Sequence, residues 1–221
     1  MKNLRFLLVV VSLLFGTASV NAKEDFEVDG IYYYIIDYAN SYVEVTYKGD
    51  FDSSFDEYAG DVVIPETVTY DNTTFTVTKI GYLAFCACKN LNSVTIPNSV
   101  TSIVRQAFYC SSITSVKLGG GVKDIGDQAF FECTALMKAD MQNAVKIGSY
   151  AFADCASLFY VRFPVVEEIG EGAFQSCDNL AYINLGNVKI FGDYAFSECD
   201  LAEVDLTGAT HVGKYAFCYN D

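Results

Sequence analysis

An Ala-Phe pair returns seven times in this chain, at Ala84-Phe85, Ala107-Phe108, Ala129-Phe130, Ala151-Phe152, Ala173-Phe174, Ala195-Phe196 and Ala216-Phe217, in steps of 23, 22, 22, 22, 22 and 21 residues. The surrounding skeleton, I-G-x-x-A-F-x-x-C-x-x-L-x-x-V-x-I, is clearest from Ile147 to Phe163 as IGSYAFADCASLFYVRF. One such unit is too short to bury its own apolar face. A fixed period of roughly 20 to 29 residues therefore points to copies that stack and share one continuous core.

The spacing within a copy reads as geometry. In L-x-x-V-x-I the period-2 pair Val94 and Ile96 faces one side of a short strand, with Leu91 turning inward before it. Ile113/Val116/Leu118, Leu136/Ala139/Met141, Leu158/Val161/Phe163, Leu180/Ile183/Leu185 and Leu201/Val204/Leu206 repeat the pattern, which predicts six parallel strands. A second apolar column is expected at Ile80, Ile103, Ile125, Ile147, Ile169, Ile190 and Val212. Gly follows it at 81, 126, 148, 170 and 213, Val104 stands in for it, and Phe191 is read as inserted before Gly192. The Ala-Phe step suits a short helical turn. The fold class expected is thus a β-rich leucine-rich-repeat solenoid of the α/β horseshoe type, with a parallel strand ladder and a short helical turn per repeat, preceded by an antiparallel β cap.

Three segments follow. Residues 1–22 have a basic start (Lys2, Arg5), the apolar run FLLVVVSLLFG and the small-residue ending Val20-Asn21-Ala22, the layout of a secretory signal peptide. Its apolar run is too short to favour spanning a bilayer, and no later stretch is long enough. Residues 23–78 lack the repeat. Their β-branched and aromatic runs, among them Ile31 to Ile36, Tyr42 to Tyr47, Val62 to Ile64 and Phe75 to Thr78, read as an antiparallel module that closes the open end of the stack. The acidic loop from Asp50 to Glu57 lacks the spacing and central Gly of a calcium loop. Residues 79–221 form the solenoid, with about six full copies and a truncated seventh. The formal charge of -14 becomes -16 once Lys2 and Arg5 are removed. That balance opposes nucleic acid and anionic membrane, whose affinity comes from Lys and Arg.

The skeleton, clearest as IGSYAFADCASLFYVRFP and CKNLNSVTIPNSV, resembles the BspA-like, or treponemal-type, leucine-rich repeat from about residue 60 onward. The resemblance implies a secreted or cell-surface protein whose role is adhesion to a host or bacterial protein. It supplies no catalytic residues. The Pro that follows the strand is present only at Pro97 and Pro164 among the full copies, so the exit from the strand is expected to vary.

Cys88, Cys110, Cys133, Cys155, Cys177 and Cys199 recur once per copy, with Cys86 and Cys218 outside the register. Buried thiols acting as small hydrophobes are one reading of this column, and disulfides between stacked copies are another, since neighbouring strands fall within disulfide reach. Metal is disfavoured by the absence of a C-x-x-C pair. His211 is the only histidine and shares an outward position with Asp124, Lys146, Glu168 and Lys189. No G-x-S-x-G, H-E-x-x-H or phosphate loop occurs, so the chain is read as a non-enzyme without a cofactor.

Alternation sends two rows to the outer face of the strands: Ser93, Ser115, Lys138, Tyr160, Tyr182, Glu203, and Thr95, Lys117, Asp140, Arg162, Asn184, Asp205. Tyr and Arg are enriched at binding hot spots. The candidate ligand site is therefore Tyr160, Arg162, Tyr182 and Asn184, with Lys138 and Asp140 at its margin and Arg162 as a cation for a partner's carboxylate. The expected partner is a protein of the host matrix or a bacterial surface. A glycan ligand and a spacer with no ligand are the alternatives, and the open edge after Leu206 suggests self-association.

Overall fold

The computed structural model describes residues 25–47 and 58–220. The leader read at 1–22 and the acidic loop from Asp50 to Glu57 lie outside the described residues. In chain order the strands are β1 (Asp25–Val28), β2 (Ile31–Asp37), β3 (Tyr42–Thr46), β4 (Gly60–Val63), β5 (Thr67–Tyr70), β6 (Thr73–Ile80), β7 (Leu91–Thr95), β8 (Ser102–Ile103), β9 (Ser115–Lys117), β10 (Asp124–Ile125), β11 (Lys138–Asp140), β12 (Lys146–Ile147), β13 (Tyr160–Arg162), β14 (Glu168–Ile169), β15 (Ile190–Phe191) and β16 (His211–Val212). From β6 to β14 successive strands alternate between two sheets, so each repeat is one coil with a strand on each of two sides. The first sheet runs β1-β2-β3-β6-β8-β10-β12-β14-β15-β16, with β5 on β6, and the second runs β13-β11-β9-β7-β4.

At the N-terminal end β1, β2 and β3 form an antiparallel meander, and β3 pairs parallel with β6. The meander thus extends the first sheet beyond the first coil. β4 pairs parallel with β7 and is itself a rung of the second sheet. Its reason is legible: Val62 to Pro65 ends in the same V-x-I-P manner as the repeat strands, so its backbone meets β7 as another repeat would.

Between the two sheets each coil passes through its Ala-Phe segment, where a short helical turn was expected. No helix occurs among the described residues. Gln106, Gln128, Tyr150, Tyr194 and Tyr215, each preceding Ala, have φ of 55–58°, and a left-handed residue interrupts a right-handed helix. The amides instead alternate in direction. Ala107, Tyr109 and Ser111 donate back to Val104, Gln106 and Phe108 within their own coil, while Gln106, Phe108 and Cys110 donate to Asp127, Ala129 and Phe131 of the next. The Phe-to-Ala rung of 2.7–2.8 Å recurs at Phe85, Phe108, Phe130, Phe152, Phe174 and Phe196. Overlapping turns thereby make a third ladder, which satisfies the backbone groups a helix would have paired internally.

The small Ala lets the coils approach closely, and the seven Phe rings stack from Phe85 to Phe217 at 4.7–5.5 Å with planes within 9° of parallel. This spacing matches the separation of paired strands. Around the rings lie Ile80, Ile103, Ile125, Ile147 and Ile169 from the first sheet and Val94, Val116, Ala139 and Val161 from the second, in one core. Ile190 does not continue the column. It is 43% exposed, while Phe191 is fully buried and pairs with Ile169. The residue adjoining Gly192 takes the inward place, as Ile169 does beside Gly170, so the outward row is Asp124, Lys146, Glu168, Ile190 and His211 in place of the expected Lys189.

The thiol column also departs from expectation at one copy. Phe108 is followed three residues later by Ser111, which is buried, whereas Cys110 lies half-exposed and donates to Glu132 Oε2 at 3.2 Å. All eight cysteines are free. Cys133, Cys155, Cys177 and Cys199 each donate S–H to the carbonyl of Phe108, Phe130, Phe152 and Phe174 in the preceding coil at 3.0–3.1 Å. In the last copy the Asn220 amide takes this place, donating to Phe196 O at 2.8 Å. The column is therefore a series of donors to an otherwise buried carbonyl, and Cys serves because it is also small and apolar.

Candidate functional site

The second sheet places the predicted side chains. Lys138 and Asp140 of β11 pair with Tyr160 and Arg162 of β13, with Ala139 opposite Val161 between them. Ala139 and Val161 are buried, so alternation drives the other four outward.

The sheet ends at β13, contrary to the six strands expected. Residues 181–185 and 202–206 follow the same course, with Leu180, Leu185 and Leu201 still buried. Among the described residues no backbone hydrogen bond joins 181–185 to β13, and the only one between the two segments, from Ala202 N to Ala181 O, is 3.4 Å long. Val204, expected inward, is 40% exposed. Beyond β13 the strand face loosens into a depression of about 800 Å³, lined by residues 159–164, 182–184, 187 and 203–205. Across one end Asn187 Nδ2 donates to Pro164 O at 2.8 Å.

Four of the six predicted residues, Tyr160, Arg162, Tyr182 and Asn184, line this depression; Lys138 and Asp140 do not. Tyr160 is 43% and Tyr182 78% exposed. Lys138 turns its Nζ over the Phe159 ring, 5.4 Å from its centroid. Arg162, expected as a free cation, has Nη1 3.5 Å from Asp140 Oδ1. That oxygen accepts no hydrogen bond, so the pair is a loose electrostatic contact, while Asp140 Oδ2 accepts from Gln142 Nε2 at 3.3 Å. Asn184 Oδ1 accepts from the Gly186 amide at 3.1 Å, which leaves its NH₂ as the available group.

Among the lining residues outside the predicted site are Phe159, Glu203 and Asp205. Phe159 is exposed where other copies carry Asn92, Thr114, Met137, Ala181 or Ala202. An aromatic at that outward place was a sequence cue. Glu203 and Asp205 add two carboxylates to the lining. The Thr207 hydroxyl and amide both donate to Asp205 Oδ1 and hold its carboxyl below the usual carboxylate range, so it is anionic at neutral pH. Gly186 leaves room for it, since a Cβ there would lie 2.9 Å from Asp205 Oδ2.

A coil with parallel strands, an interior of stacked Leu, Val, Ile and Phe, and an outer strand face carrying the variable side chains is a leucine-rich-repeat solenoid. The BspA type leucine rich repeat pattern matches residues 65–165 and 122–221, in six copies, and the chain belongs to that family. Among curated proteins none matches it by sequence. Solved structures do. The leucine-rich repeat protein TpLRR of T. pallidum superposes with a TM-score of 0.70 at 26% identity, over 86% of this chain and 85% of that one. A leucine-rich cell surface protein of Faecalibacterium prausnitzii A2-165 gives 0.56 at 26% identity, over 83% of this chain and 55% of that one. The pneumococcal vaccine antigen PcpA shares the fold, with 0.66 at 23% identity over 82% of this chain and 49% of its own length.

Proposed function

We propose that this protein is exported, stands at the cell surface or is secreted, and binds a protein partner in an adhesive role through the depression at Tyr160, Arg162, Tyr182 and Asn184. The observation that carries the reading is the exposure of Tyr160 and Tyr182 beside Arg162, on a face whose backing residues are fixed in the core. The family and the F. prausnitzii surface protein support the location. No helix among the described residues is long and apolar enough to cross a membrane.

The test is capture of host matrix proteins and bacterial cells by the purified chain lacking residues 1–22, compared with Tyr160→Ser/Arg162→Ser. The double variant is expected to weaken capture by at least about 2 kcal/mol, the scale of a hot-spot pair, at an unchanged melting temperature. Equal capture by both proteins would remove the strand face as the site. Mass spectrometry of the natural protein, starting at Lys23, checks the export reading.

A further inference from the structure

Resting on the binding role above, we infer that the depression receives a basic side chain, Lys or Arg, from an extended segment of the protein partner, with the cation set between the tyrosine faces and the carboxylates of Glu203 and Asp205.

The argument begins with charge. The one cation lining the depression, Arg162, leans toward Asp140, on the side away from Glu203 and Asp205. The ion pairs among the described residues include Lys146–Glu168, Arg162–Asp140 and Lys189–Glu167, and none of these engages Glu203 or Asp205. Glu203 and Asp205, two residues apart in one segment, both line the depression. Aromatic rings line it too. Tyr160 and Tyr182 expose their rings, and ring faces attract ammonium and guanidinium groups. The protein already makes one such contact, Lys138 over Phe159.

Shape agrees. A depression of about 800 Å³ is within the range of roughly 300–1,000 Å³ that holds small ligands, and its lining is drawn from three successive coils, which gives room for one or two side chains of an extended segment. The formal charge of -14 adds long-range attraction for a basic segment and repulsion for an acidic one.

The test uses four fluorescein-labelled 11-residue Gly-Ser peptides, each carrying three Lys, three Arg, three Glu or three Gln, in anisotropy titrations at low and moderate salt. The Lys or Arg peptide is expected to bind, more weakly as salt rises, and the Glu and Gln peptides are expected not to. Glu203→Gln/Asp205→Asn should weaken that binding at least tenfold. Glu167→Gln/Glu168→Gln, which removes the same charge from the first sheet, should leave it unchanged. Equal losses in both variants, or no binding of the basic peptides at millimolar concentration, overturn the inference. Capture of neutral oligosaccharides that ignores Glu203→Gln/Asp205→Asn does so too. If a natural partner is lost with Tyr160→Ser/Tyr182→Ser but kept with Glu203→Gln/Asp205→Asn, the binding face stands and its basic ligand does not. If neither variant affects the partner, both readings fall.

Discussion

The Ala-Phe side and the strand side of the coil are made by the same repeats and close differently. On the Ala-Phe side the backbone rungs run unbroken from Phe85 to the carbonyl of Ala216. On the strand side the second sheet stops at β13, and the next two copies run on without pairing to it. Because each coil is one covalent loop, rungs on one side limit how far the other can splay. A continuous spine thus permits a local opening without loss of register, and the opening carries the exposed Tyr160 and Tyr182.

Four outcomes would break or sharpen this contrast. The largest effect is expected at Phe152, stacked between Phe130 and Phe174 at 5.0 and 5.2 Å. Phe152→Ala should cost about 3–5 kcal/mol, read from denaturant melts. Melts coinciding with the parent protein would show that the spine does not hold the coil. Next come two glycines, one on each side. A Cβ on Gly148 would lie 2.6 Å from the Asp127 amide nitrogen, against rigid backbone, whereas a Cβ on Gly186 meets the side chain of Asp205. Gly148→Ala should therefore destabilise by about 1–3 kcal/mol, and Gly186→Ala by less than about 0.5 kcal/mol. Similar costs at both would mean that the strand side is as tightly closed as the spine.

A smaller effect belongs to the thiols. Burial raises the folded-state pKa of Cys133, Cys155, Cys177 and Cys199, the last to about 12, above the ordinary value of 9.0. The folded state then keeps protons that the unfolded chain releases. Stability from this source is complete below about pH 9 and declines as pH rises beyond it. Thermal melts between pH 7 and 11 should show that decline, and Cys155→Ala should make it shallower. An unchanged slope would place the alkaline sensitivity elsewhere. The smallest expected effect is at the opening: Tyr160→Ser and Tyr182→Ser should each shift stability by no more than about 0.5 kcal/mol. A larger loss would make those rings structural.

The sequence displays its period because every coil must present the same groups to its neighbours, and Ala107, Phe130 or Leu158 has one acceptable environment. Alternation likewise places Lys138, Tyr160 and Arg162 outward. Other features lay in backbone torsions and not in residue type. Gln106 or Tyr150 at positive φ has no compositional mark, which is why the Ala-Phe segment reads as helical. The even spacing of Cys88, Cys110 and Cys133 masks that Ser111 stands in the column. Ile190 looks like the column residue until the position of Gly192 is used to fix the register. The pairing of Arg162 with Asp140 depends on side-chain reach that spacing does not encode.

The rungs that join one coil to the next all point along the stack, as do the S–H and ring contacts beside them. A pull along that direction therefore loads the coils one after another, by peeling instead of shearing. Each released coil, about 22 residues, lengthens from a strand spacing of about 4.8 Å to roughly 75 Å at full extension. Under tension the molecule would behave as an extensible tether that yields in steps, and coils that remain folded would keep their outer face intact while their neighbours unwind.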